Sequence, residues 1–236
     1  MKKQKILIYA DAADFVKIKK MAQQEFIQGF TTNPSLMRKA GIQDYSEFAK
    51  KILPMAKEKP ISFEIFSDEF SEVKRQAKIL SSWGNNIYVK IPIVNSRGES
   101  LVQIIQELHK EGCKINVTAV LCETQVEALA SILTNKTSSI VSIFAGRIAD
   151  TGRDPSLTIK KAKKTFAGKE QIKVLWASVR EVLNIKQAEE AGADIITVPP
   201  EILEKYETMM GMNLIELSRQ TSAMFAKDAK DAGYFL

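Results

Sequence analysis

Eight short apolar runs alternate with amphipathic stretches along this chain, and that alternation is its strongest constraint on fold. Strands are expected at residues 5–11, 29–33, 61–66, 87–92, 114–120, 139–145, 173–178 and 194–199. Between them lie helical patterns at 12–25, 34–40, 45–58, 69–82, 98–111, 123–134, 155–167 and 184–191. A further helix opens at Pro200, and a long one covers 213–232. The strands are almost continuously apolar, as in a parallel sheet covered by helices. Eight such units in 236 residues is the size of a TIM barrel. The expected architecture is therefore α/β: a single (β/α)8 TIM barrel spanning 1–236, with an additional C-terminal helix. An open doubly wound sheet would usually carry a glycine-rich phosphate loop after its first strand, whereas here that strand ends in Asp11-Ala12-Ala13.

Composition narrows the function classes. Net charge is +6, but lysines and glutamates are interspersed along the amphipathic segments without a dense basic block. Nucleic acid is not an expected partner. Two cysteines and one histidine cannot assemble a metal cluster at their spacings. His109 lies in Glu107-Leu108-His109-Lys110-Glu111, which reads as the solvent end of a helix. The basic start, Met1-Lys2-Lys3-Gln4-Lys5, is followed by a short apolar run that stops at Asp11, unlike a signal peptide. No apolar run is long enough to span a membrane. A cytoplasmic protein is expected.

One strand carries a lysine where lysine is unusual. Ile87-Tyr88-Val89-Lys90-Ile91-Pro92 reads as a buried strand, with Tyr88 and Lys90 on one face. Burial in an apolar wall disfavours the charged form of an amine. A neutral amine is a nucleophile able to form a Schiff base with a carbonyl. The ordinary alternative is a strand-end lysine that reaches out to water.

Polar residues recur at the carboxyl ends of the other strands. Strand one ends in Asp11, and strand two in Thr31-Thr32-Asn33. Strand three carries Glu64. Strand five carries Asn116 and Thr118 on one face. Strand six carries Ser142 and Phe144 on one face, with Arg147 beyond, and strand seven ends in Ser178 and Arg180. Each has an ordinary reading: Asp11 suits a helix cap, Asn33 a turn before Pro34, and the arginines a solvated surface. An ordinary barrel would fill these positions with Val, Ile and Leu. Two acids, a lysine, two amides and several hydroxyls at one mouth are costly to bury without a use.

Gly29-Phe30-Thr31-Thr32-Asn33-Pro34-Ser35-Leu36 resembles the first signature of the transaldolase family. Val89-Lys90-Ile91-Pro92, with Gly98 six residues after Pro92, resembles the segment around that family's Schiff-base lysine. The similarity continues through Ile115-Asn116-Val117-Thr118, Ser142-Ile143-Phe144-Ala145-Gly146-Arg147 and Ala177-Ser178-Val179-Arg180. The short length resembles the small-subunit branch, which also contains fructose-6-phosphate aldolases. The resemblance implies a metal-independent, cofactor-free enzyme acting on sugar phosphates, with Lys90, Asp11 and Glu64 catalytic. It implies that Asn33, Thr31, Asn116, Thr118, Ser142 and Phe144 surround the substrate, and that Arg147, Ser178 and Arg180 hold a phosphate. A homo-oligomer is expected.

Glu64 matches the acid of transaldolases, where the aldolases tend to have glutamine. Phe144 matches their phenylalanine, where the aldolases tend to have tyrosine. The expected reaction is therefore transfer of a dihydroxyacetone unit from a ketose phosphate to an aldose phosphate, as in the pentose phosphate pathway. Glu64 would move protons through a water, and Asp11 would serve the donor hydroxyl. Release of free dihydroxyacetone by an aldolase is the alternative. The chain departs from the small branch in carrying Arg97 and Arg153 near the rim and in lacking a tryptophan in the C-terminal helix. The two arginines either read a second anionic group or stand in solvent.

Overall fold

The computed structural model describes residues 6–234. Met1–Lys5, including the basic start and the first residue expected of strand one, lie outside the described residues, as do Phe235 and Leu236. Eight parallel strands close into a barrel in sequence order. They are β1 (Leu7–Asp11), β2 (Ile27–Thr31), β3 (Ile61–Glu64), β4 (Ile87–Pro92), β5 (Ile115–Val120), β6 (Ser139–Ile143), β7 (Ile172–Trp176) and β8 (Ile195–Val198). The helices are α1 (Phe15–Ala22), α2 (Pro34–Lys39), α3 (Tyr45–Ala56), α4 (Phe70–Ser81), α5 (Val102–Lys110), α6 (Glu123–Ile132), α7 (Ala145–Ala149), α8 (Pro155–Thr165), α9 (Leu183–Glu190), α10 (Pro200–Met209) and α11 (Leu214–Asp231). The expected TIM barrel with an additional C-terminal helix is the observed fold.

Strand alternation divides the apolar residues into two cores. Ile8, Phe30, Phe63, Val89, Ile91, Val117, Val141 and Trp176 belong to the larger one, which includes the helices. Tyr9, Ile140, Leu175, Ala177 and Ile195 pack together inside the barrel, with Leu7, Tyr88 and Phe144 against them. Gly29 is required there: a Cβ at that position would lie 2.6 Å from the Tyr9 ring. The aromatic ring thus occupies the space that a side chain on β2 would otherwise fill.

Side-chain caps set several boundaries that periodicity left loose. Asp14 accepts from the backbone N–H of Lys17, so α1 begins at Phe15 rather than at residue 12. Asn33 and Asp44 cap α2 and α3 in the same way. The expected helix at 98–111 starts only at Val102, because Asn95 Oδ1 accepts from the N–H groups of Arg97 and Glu99 and folds residues 95–99 into a tight turn. Strand six stops at Ile143, and the chain turns into the short α7, which the sequence pattern did not reveal.

His109 is a correction. It is buried rather than at a solvent end. Its Nε2 accepts from the Thr134 N–H at 3.0 Å, which leaves Nδ1 to donate to Ser139 Oγ at 3.2 Å. No residue of α11 is buried. Among the described residues no helix is long and apolar enough to cross a membrane.

Candidate active site

On several strands the interior face continues upward from the apolar plug into polar residues. On β4, Tyr88 packs in the plug, and Lys90, two residues on, shares its face. Glu64 and Lys90 are register partners on adjacent strands, as are Lys90 and Asn116. The Lys90 ammonium lies 2.9 Å from Glu64 Oε2, with side-chain exposures of only 8% and 15%. It also donates to the Thr32 carbonyl at 3.2 Å. The apolar wall expected around Lys90 is thus replaced on one side by a carboxylate. Glu64 thus touches the amine directly.

Asp11 and Thr31 are register partners at the top of β1 and β2. Thr31 donates its hydroxyl to Asp11 Oδ1 at 2.7 Å. Burial pushes the Asp11 carboxyl above its usual range, against the opposing pull of Lys90 and the Thr31 hydrogen bond. Glu64 and Glu201 add to the upward push. Asp11 caps no helix; that duty falls to Asp14.

Asn116 is held from both sides. Its amide donates to Ser62 Oγ at 3.0 Å, and its carbonyl accepts from Ser142 Oγ at 2.6 Å. The side chain is thus held at both ends, and one N–H remains for another acceptor. Thr118 Oγ1 is buried with no hydrogen-bond partner among the described residues. Asn33 is half-buried and uses its side-chain oxygen to cap α2, accepting from the Leu36 N–H at 2.9 Å. Where the sequence offered a turn before Pro34, Asn33 thus caps the helix that Pro34 opens, and its side-chain NH2 has no partner among the described residues. Phe144 is half-buried and packs against the interior plug, on the same face as Ser142.

Arg147, Ser178 and Arg180 lie at the ends of the neighbouring strands β6 and β7. Gly146 brings these segments together. A Cβ on it would fall 1.8 Å from the Ser178 carbonyl oxygen, so only glycine permits the approach. Ser178 itself sits at φ 63, a left-handed conformation unusual for serine. Arg147 is exposed and has no partner among the described residues. Arg180 is paired with Asp150 at 2.7 Å. Arg97 is committed elsewhere: it pairs with Glu69 and Glu99, both at 2.9 Å, and ties the β3–α4 loop to the β4–α5 loop. Arg153 is exposed and donates to Thr151 Oγ1 at 2.8 Å.

Several residues that shape the site were not evident in the sequence. Thr197 on β8 stands 2.5 Å from Thr31 Oγ1. The same inward-facing rule, applied to Ile195 and Thr197, points to it. Ser62, two residues before Glu64, follows that rule too. Tyr45 donates its hydroxyl to the Glu64 carbonyl at 2.8 Å, fixing the backbone of that acid. It opens α3, and nothing local in the sequence announces its partner. Among the described residues no group of three or more His, Cys, Asp or Glu side chains is arranged to hold a metal ion.

The family model described as transaldolase/fructose-6-phosphate aldolase matches residues 8–234. The chain belongs to that family. It is 34% identical to a "Probable transaldolase" of Dehalococcoides mccartyi over 226 residues, covering 94% of this chain and 97% of that protein. A "Probable transaldolase" of Carboxydothermus hydrogenoformans is 36% identical over 197 residues, covering 83% and 87%. Among solved structures, the tryptophan synthase A-subunit of Pyrococcus furiosus superposes with a TM-score of 0.59 at 13% identity, covering 89% of this chain and 93% of that one. Orotidine 5'-monophosphate decarboxylase of Metallosphaera sedula gives a TM-score of 0.55 at 11% identity, covering 91% and 95%. At such identities those two likenesses concern the barrel alone.

Proposed function

We propose that this family member is a class I transaldolase that transfers a dihydroxyacetone unit between sugar phosphates through a Schiff base on Lys90. The observation that carries the reading is the buried contact between the Lys90 amine and the Glu64 carboxylate at 2.9 Å. A nucleophilic amine and its proton acceptor already lie within proton-transfer distance. Glu64 takes the ammonium proton, and the amine adds to the keto carbon of a ketose phosphate such as fructose 6-phosphate or sedoheptulose 7-phosphate. Glu64 then supplies the proton with which the carbinolamine loses water to become an iminium.

Asp11 takes the proton from the hydroxyl two carbons away from the iminium. The intervening carbon–carbon bond breaks, its electron pair moves into the iminium to give an enamine, and an aldose phosphate departs. The enamine carbon attacks the aldehyde of an acceptor aldose phosphate, and Asp11 returns a proton to the new alkoxide. Hydrolysis of the iminium frees the product and Lys90, so atoms and charges balance without a cofactor. The two acids differ in surroundings, as two duties require: one is paired with a cation, and the other is pushed upward by burial.

Asn116, Thr118 and the Asn33 amide hold the hydroxyls of the three-carbon unit, with Thr31 and Ser142 keeping Asp11 and Asn116 oriented. Arg147, Ser178 and Arg180 receive the phosphate, since arginine offers paired donors to its oxygens. Phe144 favours transfer over release, because it places no proton donor beside the enamine. The test is to supply fructose 6-phosphate and erythrose 4-phosphate and to follow both outcomes together. Sedoheptulose 7-phosphate with little free dihydroxyacetone supports transfer. Dominant dihydroxyacetone release makes the enzyme an aldolase.

A further inference from the structure

Thr197 lies on β8 and Thr31 on β2, with β1 between them, and their hydroxyls meet inside the barrel. Both threonines are buried, at 5% and 2% exposure, so water does not readily replace either hydroxyl. Thr31 Oγ1 has one proton and directs it to Asp11 Oδ1 at 2.7 Å. In the 2.5 Å contact between the two hydroxyls, Thr197 must therefore be the donor and Thr31 the acceptor. The result is a directed chain, Thr197 to Thr31 to Asp11, in which each bond polarises the next.

We propose that Thr197 is a positioning residue: acting through Thr31, it fixes the Asp11 carboxylate by Oδ1 and leaves Oδ2 as the oxygen that exchanges a proton with substrate. A lone Thr31 hydroxyl is free to rotate away from the acid. With Thr197 donating to its oxygen, the proton of Thr31 is left only the direction of Asp11. The charged groups acting on Asp11 are Lys90 from β4, Glu64 from β3 and Glu201 from α10. Their balance is untouched by a change at position 197, so a hydroxyl deletion there isolates the chain. The inference rests on the reading of Asp11 as the proton acceptor.

The experiment compares Thr197→Val and Thr197→Ser with the wild type. The Asp11 carboxyl is titrated by 13C NMR in aspartate-labelled protein without substrate, and turnover is measured with fructose 6-phosphate and erythrose 4-phosphate. Loss of donation to a carboxylate raises its titration midpoint, so the valine variant titrates at higher pH than the wild type. Its kcat falls about five-fold, the loss of roughly one ordinary hydrogen bond, while KM stays unchanged. The serine variant restores both values. In a Thr31→Val background the further Thr197→Val change leaves the titration where it was. An unmoved midpoint in Thr197→Val, or equal behaviour of the serine and valine variants, overturns the inference. Should valine prevent folding, Thr197→Ala carries the same comparison. Failure of the wild type to turn over sugar phosphates would remove the reading of Asp11 instead, whatever the titration shows.

Discussion

Replacing Lys90 with methionine tests what the buried pair does for the fold as well as for chemistry. Methionine has similar length, so little cavity opens, and the principal change is electrostatic. Glu64 keeps its position, because Tyr45 still holds its backbone carbonyl. Its carboxylate, with 15% of its side chain exposed, is left without a cation. Stranding one member of a buried pair costs about 3–5 kcal/mol, and the partial exposure of Glu64 puts this case near 3 kcal/mol. For a chain of this size that corresponds to a fall in Tm of about 6–12 °C. Replacing both partners with apolar residues, Lys90→Met with Glu64→Leu, removes the stranded charge and should return stability to within about 1 kcal/mol of wild type. Thermal melts by circular dichroism at neutral pH read both effects, and neither variant should turn over substrate. A Lys90→Met protein that melts at or above the wild type, with the second substitution merely additive, would refute the reasoning.

Arg147→Ala should weaken phosphorylated donors about 10- to 100-fold, the loss of one charge-assisted bond, while unphosphorylated dihydroxyacetone is little affected. Arg180→Ala should cost less, since Arg180 already has Asp150 as a partner. Equal losses for both substrates in steady-state assays would make the arginines structural. Phe144→Tyr should raise dihydroxyacetone release relative to sedoheptulose 7-phosphate formation, because a hydroxyl beside the enamine lets it be protonated and hydrolysed off. An unchanged ratio would remove Phe144 from the choice of reaction. Burial lowers the His109 imidazole below its ordinary value, so the unfolded chain takes up a proton first as pH falls. Its contribution to stability is thus present above about pH 6.5 and is lost below it. Melting temperatures between about pH 8 and 5.5 should show that slope, and a His109→Gln variant should flatten it.

The fold was legible because its signal is repetitive. Each apolar strand and each amphipathic helix carries its own period, and eight repeats reinforce one reading. Most of the candidate site was legible for a related reason: polar residues at inward positions contradict the apolar filling of a barrel. The residues that escaped depend on contacts between elements. His109 looked solvated among charged neighbours, and only the packing of α5 against the chain around Thr134 and Ser139 buries it. Arg97 looked available, but Glu69 arrives from another loop to hold it. Tyr45 reaches Glu64 from 19 residues away. Thr197 was within reach of the alternation rule, but its significance depends on Thr31 meeting it from β2, with β1 between them. Short caps and tight turns account for the displaced helix starts, since a single Asp or Asn side chain outweighs the apolar period at a helix end.

The most direct test of the Schiff base is reductive trapping. Wild-type protein is incubated with fructose 6-phosphate, reduced with borohydride, weighed intact and mapped by peptide. One stable adduct on Lys90, absent from Lys90→Met, is the predicted result. An adduct on a different lysine, or none under conditions of active turnover, would contradict it.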